Sequence, residues 1–242
     1  MYIKTTNSTN TLLRELIAQG NPPDFVYAGY QTAGRGQTGN GWESEANKNL
    51  LCSILLAPRQ NLFELNMAVS IAVHRLVNRS LPDRGLTIKW PNDIYWNDRK
   101  IAGILIENAI VGSEIRYSIA GIGLNINQTQ FVSDAPNPVS LKQITGEQYN
   151  IDEWMAQLYA EVQKALNEDI WDYYKAHLYR RQGYWPFVER EVDTTPTMNA
   201  GNQTEGIFMA RIADVLPTGE ILLEDEQGKQ RKYHFKQVRY VI

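Results

Sequence analysis

Two long apolar runs separated by a short turn signal constrain the fold more than any other part of the chain. Ile101 to Val111 and Ile115 to Ile126 are rich in β-branched residues, and Gly112-Ser113 lies between them. Runs of this kind, bounded by glycine and serine, are typical of strands joined by a tight turn. We therefore predict a long antiparallel hairpin within a mostly antiparallel sheet.

Helical and strand patterns surround this hairpin. An apolar stripe at helical spacing follows Ser8 and Thr9, and another from Leu65 to Leu76 predicts a long amphipathic helix. Strands are predicted at Phe25 to Tyr30, Leu50 to Leu56 and Leu86 to Trp90, and helices from near Asp152 to about Tyr179. Residues from Phe131 to Pro138, with two prolines, are predicted to be a loop.

The pattern changes at Pro186, after which only short β-type runs occur. They are separated by turn signals such as Pro217-Thr218-Gly219. A unit of this size is marginal for folding alone, so we expect it to dock on the larger unit. The sequence predicts an α+β fold, with a mixed or antiparallel sheet and helices in residues 1–183 and a small β unit in residues 184–242.

Composition excludes several classes of protein. The 242 residues carry a formal net charge of -3, so no broad basic face indicates a nucleic-acid partner. No apolar run approaches the roughly 20 residues that cross a bilayer, and the N-terminus lacks the apolar core of a secretory signal. Cys52 is the single cysteine and cannot form an internal disulfide. We expect a cytoplasmic protein that binds neither membrane nor nucleic acid.

The segment Gly34-Arg35-Gly36-Gln37-Thr38-Gly39-Asn40-Gly41-Trp42 is the densest group of glycines. Glycine lets a backbone approach a ligand closely, and successive N–H groups in such a loop can bind an anion. Arg35 adds a planar cation suited to phosphate or carboxylate. The segment matches neither the P-loop nor the dinucleotide fingerprint. Taken alone, it is equally compatible with a flexible surface turn.

Three further segments carry residues suited to a ligand. Lys89-Trp90-Pro91-Asn92-Asp93 places a cation, an amide and a carboxylate at the end of a strand, although an Asx turn would also explain part of it. Lys100 opens an apolar strand that contains Gly103, and Gly121-Ile122-Gly123-Leu124-Asn125 alternates glycines along the next. A glycine inside a strand indicates a close approach to the backbone. A surface lysine and ordinary sheet packing remain open alternatives.

Read in order with Ser8-Thr9-Asn10 and Gln31, these segments resemble the biotin protein ligase family from about Tyr2 to Asn127. The family's fold is similar to the catalytic core of class II aminoacyl-tRNA synthetases, with a C-terminal SH3-like barrel. The resemblance implies an ATP-dependent ligase that forms biotinyl-5′-AMP and transfers biotin to a lysine. Because the Ser-Thr-Asn motif begins at Ser8, we expect the monofunctional type, without an N-terminal DNA-binding domain.

The resemblance also implies roles for individual residues. It assigns to biotin Ser8, Thr9, Asn10, Gln31, Arg35, Gly36, Gln37 and Lys100. It assigns to the nucleotide Gly34, Trp42, Asn92 and Asn125. It assigns to catalysis Lys100, Arg35, Lys89 and Asp93. In this interpretation Lys100 neutralises the carboxylate and α-phosphate oxygens, and Asp93 orients the acceptor amine.

ATP with Mg²⁺ and the substrate biotin are the implied ligands. The implied partner is the biotinyl domain of a carboxylase or decarboxylase, and a homodimer is left open. The three histidines (His74, His177 and His234) are scattered, so we expect no resident metal site. Many family members carry arginine at the position of Gln37. Since Gln37 has no charge, we expect this chain to retain biotinyl-5′-AMP more loosely.

Three alternatives remain open. A lipoate or octanoate protein ligase or transferase has the same superfamily fold and differs mainly in its pocket. A biotin-binding sensor would keep Ser8, Thr9 and Gln31 but would not need the cations Lys89 and Lys100. An RNA-binding paralogue of a synthetase would need a basic face, which the net charge does not favour.

Overall fold

The computed structural model describes residues 1–36, 41–59, 61–81, 85–112, 114–190 and 206–242. The larger unit consists, in chain order, of β1 (Tyr2–Thr6), α1 (Thr9–Ala18), β2 (Phe25–Gln31), β3 (Leu50–Leu56), α2 (Leu62–Asn78), β4 (Leu86–Lys89), β5 (Asp93–Trp96), β6 (Arg99–Val111), β7 (Glu114–Leu124), α3 (Leu141–Thr145), α4 (Ile151–Ala165) and α5 (Trp171–Ala176). The smaller unit consists of β8 (Trp185–Glu189), β9 (Ile207–Val215), β10 (Ile221–Asp225), β11 (Gln230–Tyr233) and β12 (Val238–Tyr240).

The larger unit is built on one mixed sheet with the strand order β1-β2-β3-β7-β6-β5-β4. Strands β1 and β2 are parallel, and the other neighbouring pairs described are antiparallel. The long hairpin predicted from the two apolar runs is confirmed as β6 and β7. Its register places Gly103 opposite Gly123 and Leu105 opposite Gly121. Glycines of two adjacent strands therefore lie side by side in the middle of the sheet.

The two faces of this sheet carry different helices. Helices α2 and α4 pack together over one face and enclose the main core, which includes Leu50, Ile54 and Leu65. Helix α1 packs on β2, β3 and β7 and encloses a smaller cluster around Leu13. Because side chains alternate along a strand, residues of β3 on the face of α1, such as Ser53, are turned away from the main core.

Helix ends follow from local hydrogen bonds. Asn61 caps α2 by accepting from the backbone N–H groups of Phe63 and Glu64, and Asn150 caps α4 in the same way. Such caps satisfy donors that have no partner within the helix. Ser8 is the N-cap residue of α1 but makes no capping bond with its side chain. Its hydroxyl is therefore not committed to the helix.

The smaller unit is a five-stranded sheet with the order β11-β10-β9-β8-β12, and its neighbouring strands are antiparallel. It packs against the larger unit, since Phe187 and Tyr240 belong to the main core cluster. The indole N–H of Trp90 donates to the carbonyl of Gly219 at 3.0 Å, which adds a polar contact. The α+β fold with a small C-terminal β unit is confirmed. The boundary between residues 183 and 184 stays a prediction.

Several elements differ from the sequence prediction. The patterns do not predict β1, β5 and α3, each of which has only four or five residues. The helix expected to reach about Tyr179 ends at Ala176, because residues 177–179 pair with β4 through bonds between Ile88 and the backbone of His177 and Tyr179. The segment from Phe131 to Pro138 contains no helix or strand, as expected. Among the described helices, none has the length and apolar character needed to span a membrane.

Candidate active site

Two adjoining cavities share part of their lining, and the smaller one lies against the glycines of the β6–β7 hairpin and beside the smaller unit. Their volumes are about 500 Å³ and about 1030 Å³. We call the smaller one the cationic cavity, because it is lined by Arg35, Lys89, Lys100, Arg190, Lys236 and Arg239. We call the larger one the loop cavity, because residues 130–138 form one of its walls. The residues common to both linings are Gln31, Gly41, Trp42, Asp93 and Lys100.

A cluster of hydrogen-bonding side chains forms one corner of the cationic cavity at the start of α1. The backbone N–H and the hydroxyl of Thr9 both donate to the side-chain carbonyl of Gln31, at 2.8 and 3.1 Å. The hydroxyl of Ser53 lies 2.8 Å from Thr9 Oγ1 and 2.5 Å from Asn10 Oδ1. Ser8 lines the same corner and is buried. Ser53 is a member of this corner that sequence reasoning missed, because it lies inside an apolar strand.

The carboxylate of Glu107 on β6 binds several side chains of this corner. The side-chain N–H of Asn10 donates to Glu107 at 2.7 Å, and Arg14 pairs with the same carboxylate at 2.8 Å. Arg35 reaches the other oxygen of Glu107 at 3.5 Å and donates to the hydroxyl of Thr11 at 3.2 Å. One carboxylate therefore connects the corner at Asn10 with the arginine of the glycine-rich segment.

The hairpin glycines make room for two side chains. A Cβ atom at Gly103 would lie 2.9 Å from the Trp42 ring, and one at Gly123 would lie 2.7 Å from Nε1 of that ring. A Cβ atom at Gly121 would lie 2.9 Å from Cγ of Asn10. The strand glycines are thus explained by close approach of side chains to the sheet. The Trp42 ring lies on the backbone of β6 and β7, where both cavities meet.

The charged groups of the cavities include a lysine–carboxylate pair. Lys100 Nζ lies 2.7 Å from Asp93 Oδ1, and both side chains are partly exposed. Lys89 lies over the rings of Tyr95 and Tyr240, at 5.2 and 5.0 Å. Burial lowers the pKa of Lys89, and although Asp93 acts in the opposite direction, neighbouring cations add to the lowering. The site concentrates positive charge in a partly desolvated space, which favours an anionic ligand.

The smaller unit contributes part of the cationic cavity. Arg190, Lys236 and Arg239 line it, together with Phe235 and Tyr240. Lys236 has a φ of +76°, in the left-handed region, and Phe235 packs edge-on against Trp90 at 6.0 Å. Sequence reasoning missed these residues, because short β runs do not indicate which end of the small unit faces the larger one.

The loop cavity contains two buried polar atoms without a hydrogen-bond partner among the described residues. They are Oδ1 of Asn125 and Nε1 of Trp42. Asn125 is buried directly after β7, and its backbone N–H donates to Ile101 at 2.9 Å. Leaving a buried polar group without a partner is costly, and contact with a ligand is one way to satisfy such a group. Gly34 also lines this cavity.

Two residues assigned from the sequence stand apart from the rest. Asn92 lines neither cavity, because its buried side chain donates to Oδ1 of Asn66 and to the carbonyl of Ile104, at 3.1 and 3.0 Å. Gln37 lies outside the described residues. Gly36 lines the cationic cavity together with Arg35.

No group of three or more histidine, cysteine or acidic side chains that could hold a metal ion occurs in the described ranges. His74 is buried against Leu86 and Tyr173, away from both cavities. The other two histidines, His177 and His234, also lie outside both linings.

Known proteins share both the sequence pattern and the fold. Residues 2–125 match the model of the Biotin/lipoate A/B protein ligase family, which is more than half of the chain. The chain belongs to this family. Its relatives include the bifunctional ligase/repressor BirA of Bacillus subtilis, which is 28% identical over 243 aligned residues that cover 96% of this chain and 71% of that protein. The biotin--[acetyl-CoA-carboxylase] ligase of Paracoccus denitrificans is 30% identical over 158 residues, covering 62% of this chain and 65% of the relative.

Solved structures place the whole of this ligase-family chain in one fold. The biotin protein ligase from Aquifex aeolicus in complex with biotin and ATP aligns with a TM-score of 0.77 and 21% sequence identity, covering 100% of this chain and 98% of that one. The biotin protein ligase from Leishmania major in complex with biotinyl-5-AMP aligns with a TM-score of 0.63 and 19% identity, covering 96% and 97% of the two chains. The likeness therefore includes the smaller β unit as well as the larger one.

Proposed function

We propose that this chain is a biotin protein ligase. It uses ATP to convert biotin into biotinyl-5′-AMP and transfers the biotinyl group to a lysine on the biotinyl domain of a biotin-dependent carboxylase or decarboxylase. The observation that carries the proposal is the cationic cavity, in which the hydrogen-bonding corner at Thr9 and Gln31 opens toward the cations Arg35 and Lys100. A small polar ring with a carboxylate at the end of a chain is complementary to this arrangement.

The corner at the start of α1 suits the ureido ring of biotin. That ring has two N–H donors and one carbonyl acceptor, and hydroxyl and amide groups can serve both. Ser8, Thr9, Asn10 and Gln31 supply such groups within a small buried region. Because Thr9 and Gln31 already bond to each other, their orientation is fixed before the ligand binds. This preorganisation reduces the entropy lost on binding.

The first step takes place where the cations surround the carboxylate end of biotin. A carboxylate oxygen forms a bond to the α-phosphorus of ATP, and the bond from that phosphorus to the bridging oxygen of pyrophosphate breaks. Both reactants are anions, so fixed positive charge lowers the barrier by positioning and neutralisation. We assign these contacts to Lys100, Arg35 and the backbone of Gly36.

The nucleotide occupies the adjoining loop cavity in this proposal. Trp42 offers an aromatic face, Asn125 offers an unpartnered side-chain oxygen, and Gly34 allows close approach of the loop backbone. The basic residues of the smaller unit, such as Lys236, face the leaving pyrophosphate from the cationic cavity. Mg²⁺ bound to the ATP phosphates would keep several of its waters and so would need few protein ligands. Among the described residues, Asp93 is the one carboxylate that lines the cationic cavity.

In the second step the acceptor amine attacks the carbonyl carbon of the mixed anhydride. The new amide bond forms, the bond to the phosphate oxygen breaks, AMP leaves, and the amine gives up a proton to solvent. Asp93 lines both cavities and can accept a hydrogen bond from that amine. Lys89 and Lys100 balance the charge that develops on the leaving phosphate. We place this reaction in the cytoplasm, where carboxylases and ATP are available.

The test is transfer of an acyl group to purified acceptor domains. The protein is incubated with ATP, Mg²⁺ and biotin, lipoate or octanoate, each with a biotinyl domain or a lipoyl domain, and the products are weighed by mass spectrometry. We expect one biotin on one lysine of the biotinyl domain, with no product when ATP is omitted. A biotinyl domain in which that lysine is arginine is the control. Use of lipoate or octanoate in place of biotin would contradict the proposal, and absence of any transfer would favour a biotin-binding sensor.

A further inference from the structure

Two segments that line the loop cavity are joined by the carboxylate of Glu43, the residue after Trp42. Its Oε1 accepts from the backbone N–H of Val132 at 2.8 Å, and its Oε2 accepts from the backbone N–H of Ser133 at 2.9 Å. The side chain of Gln128 donates to Oε1 at 3.3 Å. Three donors thus converge on one carboxylate that lies between the glycine-rich segment and the loop after β7.

The charge of Glu43 is supported by these donors. Burial alone would raise the pKa of this carboxyl, but the hydrogen bonds from Ser133, Val132 and Gln128 outweigh burial and lower it. The group is therefore ionised at neutral pH. Hydrogen bonds to an ionised acceptor are roughly twice as strong as those between neutral groups.

A second set of hydrogen bonds, through Gln128, connects the same two segments. The side-chain oxygen of Gln128 accepts from the backbone N–H of Glu45 at 2.9 Å and from Asn49 at 2.6 Å. Gln128 is buried, so these bonds are shielded from water. The segment from Trp42 to Glu45 is consequently held to residues 128–133 at two places. The Trp42 ring and the exposed loop that ends at Pro138 form one connected wall.

The charges around this wall indicate which part of a nucleotide it receives. Glu43 and Asp134 line the loop cavity, where their negative charge repels phosphate. The cationic cavity is lined by the basic side chains Arg35, Lys89, Arg190, Lys236 and Arg239, and Lys100 lines both cavities. Aromatic rings of the loop cavity, including Trp42 and Tyr95, suit an uncharged planar base. The phosphates of ATP therefore belong on the cationic side and the purine and ribose on the side of Glu43.

We propose that Glu43 is a positioning residue for the nucleotide, which holds the loop at residues 132–133 against the Trp42 segment and so forms the wall that receives the base of ATP. This inference rests on the proposed ligase function. Glu43 acts through the loop backbone and through Trp42, and it makes no bond to the reacting atoms. Its removal should weaken ATP binding much more than biotin binding or the chemical step.

The experiment compares Glu43→Gln with Glu45→Gln. Both variants remove one negative charge from the same segment, but the Glu45 side chain is exposed and only its backbone takes part in the second set of hydrogen bonds. Binding of a non-hydrolysable ATP analogue to the biotin-loaded protein is measured by equilibrium dialysis. We expect the dissociation constant to rise about five- to tenfold in Glu43→Gln, because ionic hydrogen bonds become neutral ones. We expect it to stay within about twofold in Glu45→Gln.

Two further readouts separate the outcomes. Glu43→Gln should raise KM for ATP with little change in kcat or in KM for biotin, which indicates lost ground-state binding. Amide exchange followed by NMR should accelerate at Val132 and Ser133 in this variant and not in Glu45→Gln. Equal ATP affinity in both variants would overturn the role of Glu43. A wild-type protein that binds the analogue but forms no biotinyl-5′-AMP would instead overturn the ligase function, while the binding comparison would still test Glu43.

Discussion

Lys100 Nζ lies 2.7 Å from the carboxylate of Asp93, and both side chains line the two cavities that meet beside the Trp42 ring. The two residues come from the adjacent antiparallel strands β5 and β6, with a register shift between Ile94 and Tyr95. In the proposed mechanism, this arrangement puts one cation and one carboxylate where the acyl group passes from phosphate to amine. The pair can thus serve both half-reactions.

Replacement of Lys100 by alanine should nearly abolish formation of biotinyl-5′-AMP. The reacting carboxylate and α-phosphate would lose a cation located beside both, and removal of one such stabilising group typically costs about 10²- to 10³-fold in rate. The measurement is biotin-dependent exchange of labelled pyrophosphate into ATP. Lys164→Ala, which removes an exposed lysine on α4, serves as the control and should behave as wild type. Comparable exchange rates in the two variants would exclude the assigned role of Lys100.

Gly121→Ala should weaken biotin binding specifically. The new Cβ atom would lie 2.9 Å from Cγ and 3.0 Å from Nδ2 of Asn10, so Asn10 would have to move away from Ser53 and Glu107. Loss of such bonds predicts an increase of about tenfold in KM for biotin with a smaller change in kcat. Steady-state kinetics with varied biotin provides the test. Gly206→Ala is a matched control, because nothing lies within 4 Å of its Cβ position. An unchanged KM for biotin would show that Asn10 does not shape the corner of the cationic cavity at the start of α1.

Lys236→Gly should weaken ATP binding while leaving the stability of the fold nearly unchanged. The residue has a φ of +76°, which glycine adopts readily, so removal of the side chain relieves strain as it removes the cation. We expect the free energy of unfolding to change by less than about 1 kcal/mol, since strain relief and the greater entropy of the unfolded glycine oppose each other. KM for ATP should rise about fivefold through loss of one phosphate contact.

Urea unfolding and ATP-dependent kinetics measure the two effects of Lys236→Gly. Lys229→Ala, which removes an exposed lysine from the same unit, should leave both quantities unchanged. A large loss of stability together with an unchanged KM would mean that Lys236 is structural.

Local periodicity predicted most of the larger fold. Leu50–Leu56 is a strand at the predicted residues, and the β6–β7 hairpin forms where apolar runs flank Gly112. Such elements are long enough for their pattern to outweigh local propensity. β5 was not predicted because this strand has only four residues, which are too few to show a periodic pattern.

The site could be predicted only where its residues form local motifs. Lys100 and Asp93 belong to such motifs, and the structure brings them together. Ser53 and Lys236 belong to none, and their positions depend on strand pairing and on how the smaller unit docks. A contact between residues distant in the chain is set by tertiary packing, which periodicity does not encode. Glu43 is a similar case, because its partner Ser133 follows β7 and lies 90 residues further along the chain.

The stability of the fold should fall in mild acid because of one buried histidine. Nε2 of His74 lies 3.1 Å from the carbonyl of Leu86, and Nδ1 lies 3.0 Å from the hydroxyl of Tyr173. Since a carbonyl only accepts, Nε2 carries the proton and Nδ1 accepts from the tyrosine. Burial is the main reason that the pKa of His74 falls from its ordinary 6.5 to about 4; the Leu86 carbonyl acts in the opposite direction, and His177 and Arg75 add to the lowering.

The unfolded chain therefore binds a proton at His74 at a higher pH than the folded chain does. The contribution of this group to stability is complete above pH 6.5 and is lost as the pH falls toward the folded pKa of about 4. Between neutral pH and about pH 5 the loss amounts to about 2 kcal/mol. Urea unfolding of wild type and His74→Gln across this range measures it. We expect the wild type to lose stability more steeply than the variant, whatever their difference at neutral pH. Parallel pH profiles would show that His74 takes up its proton equally in both states.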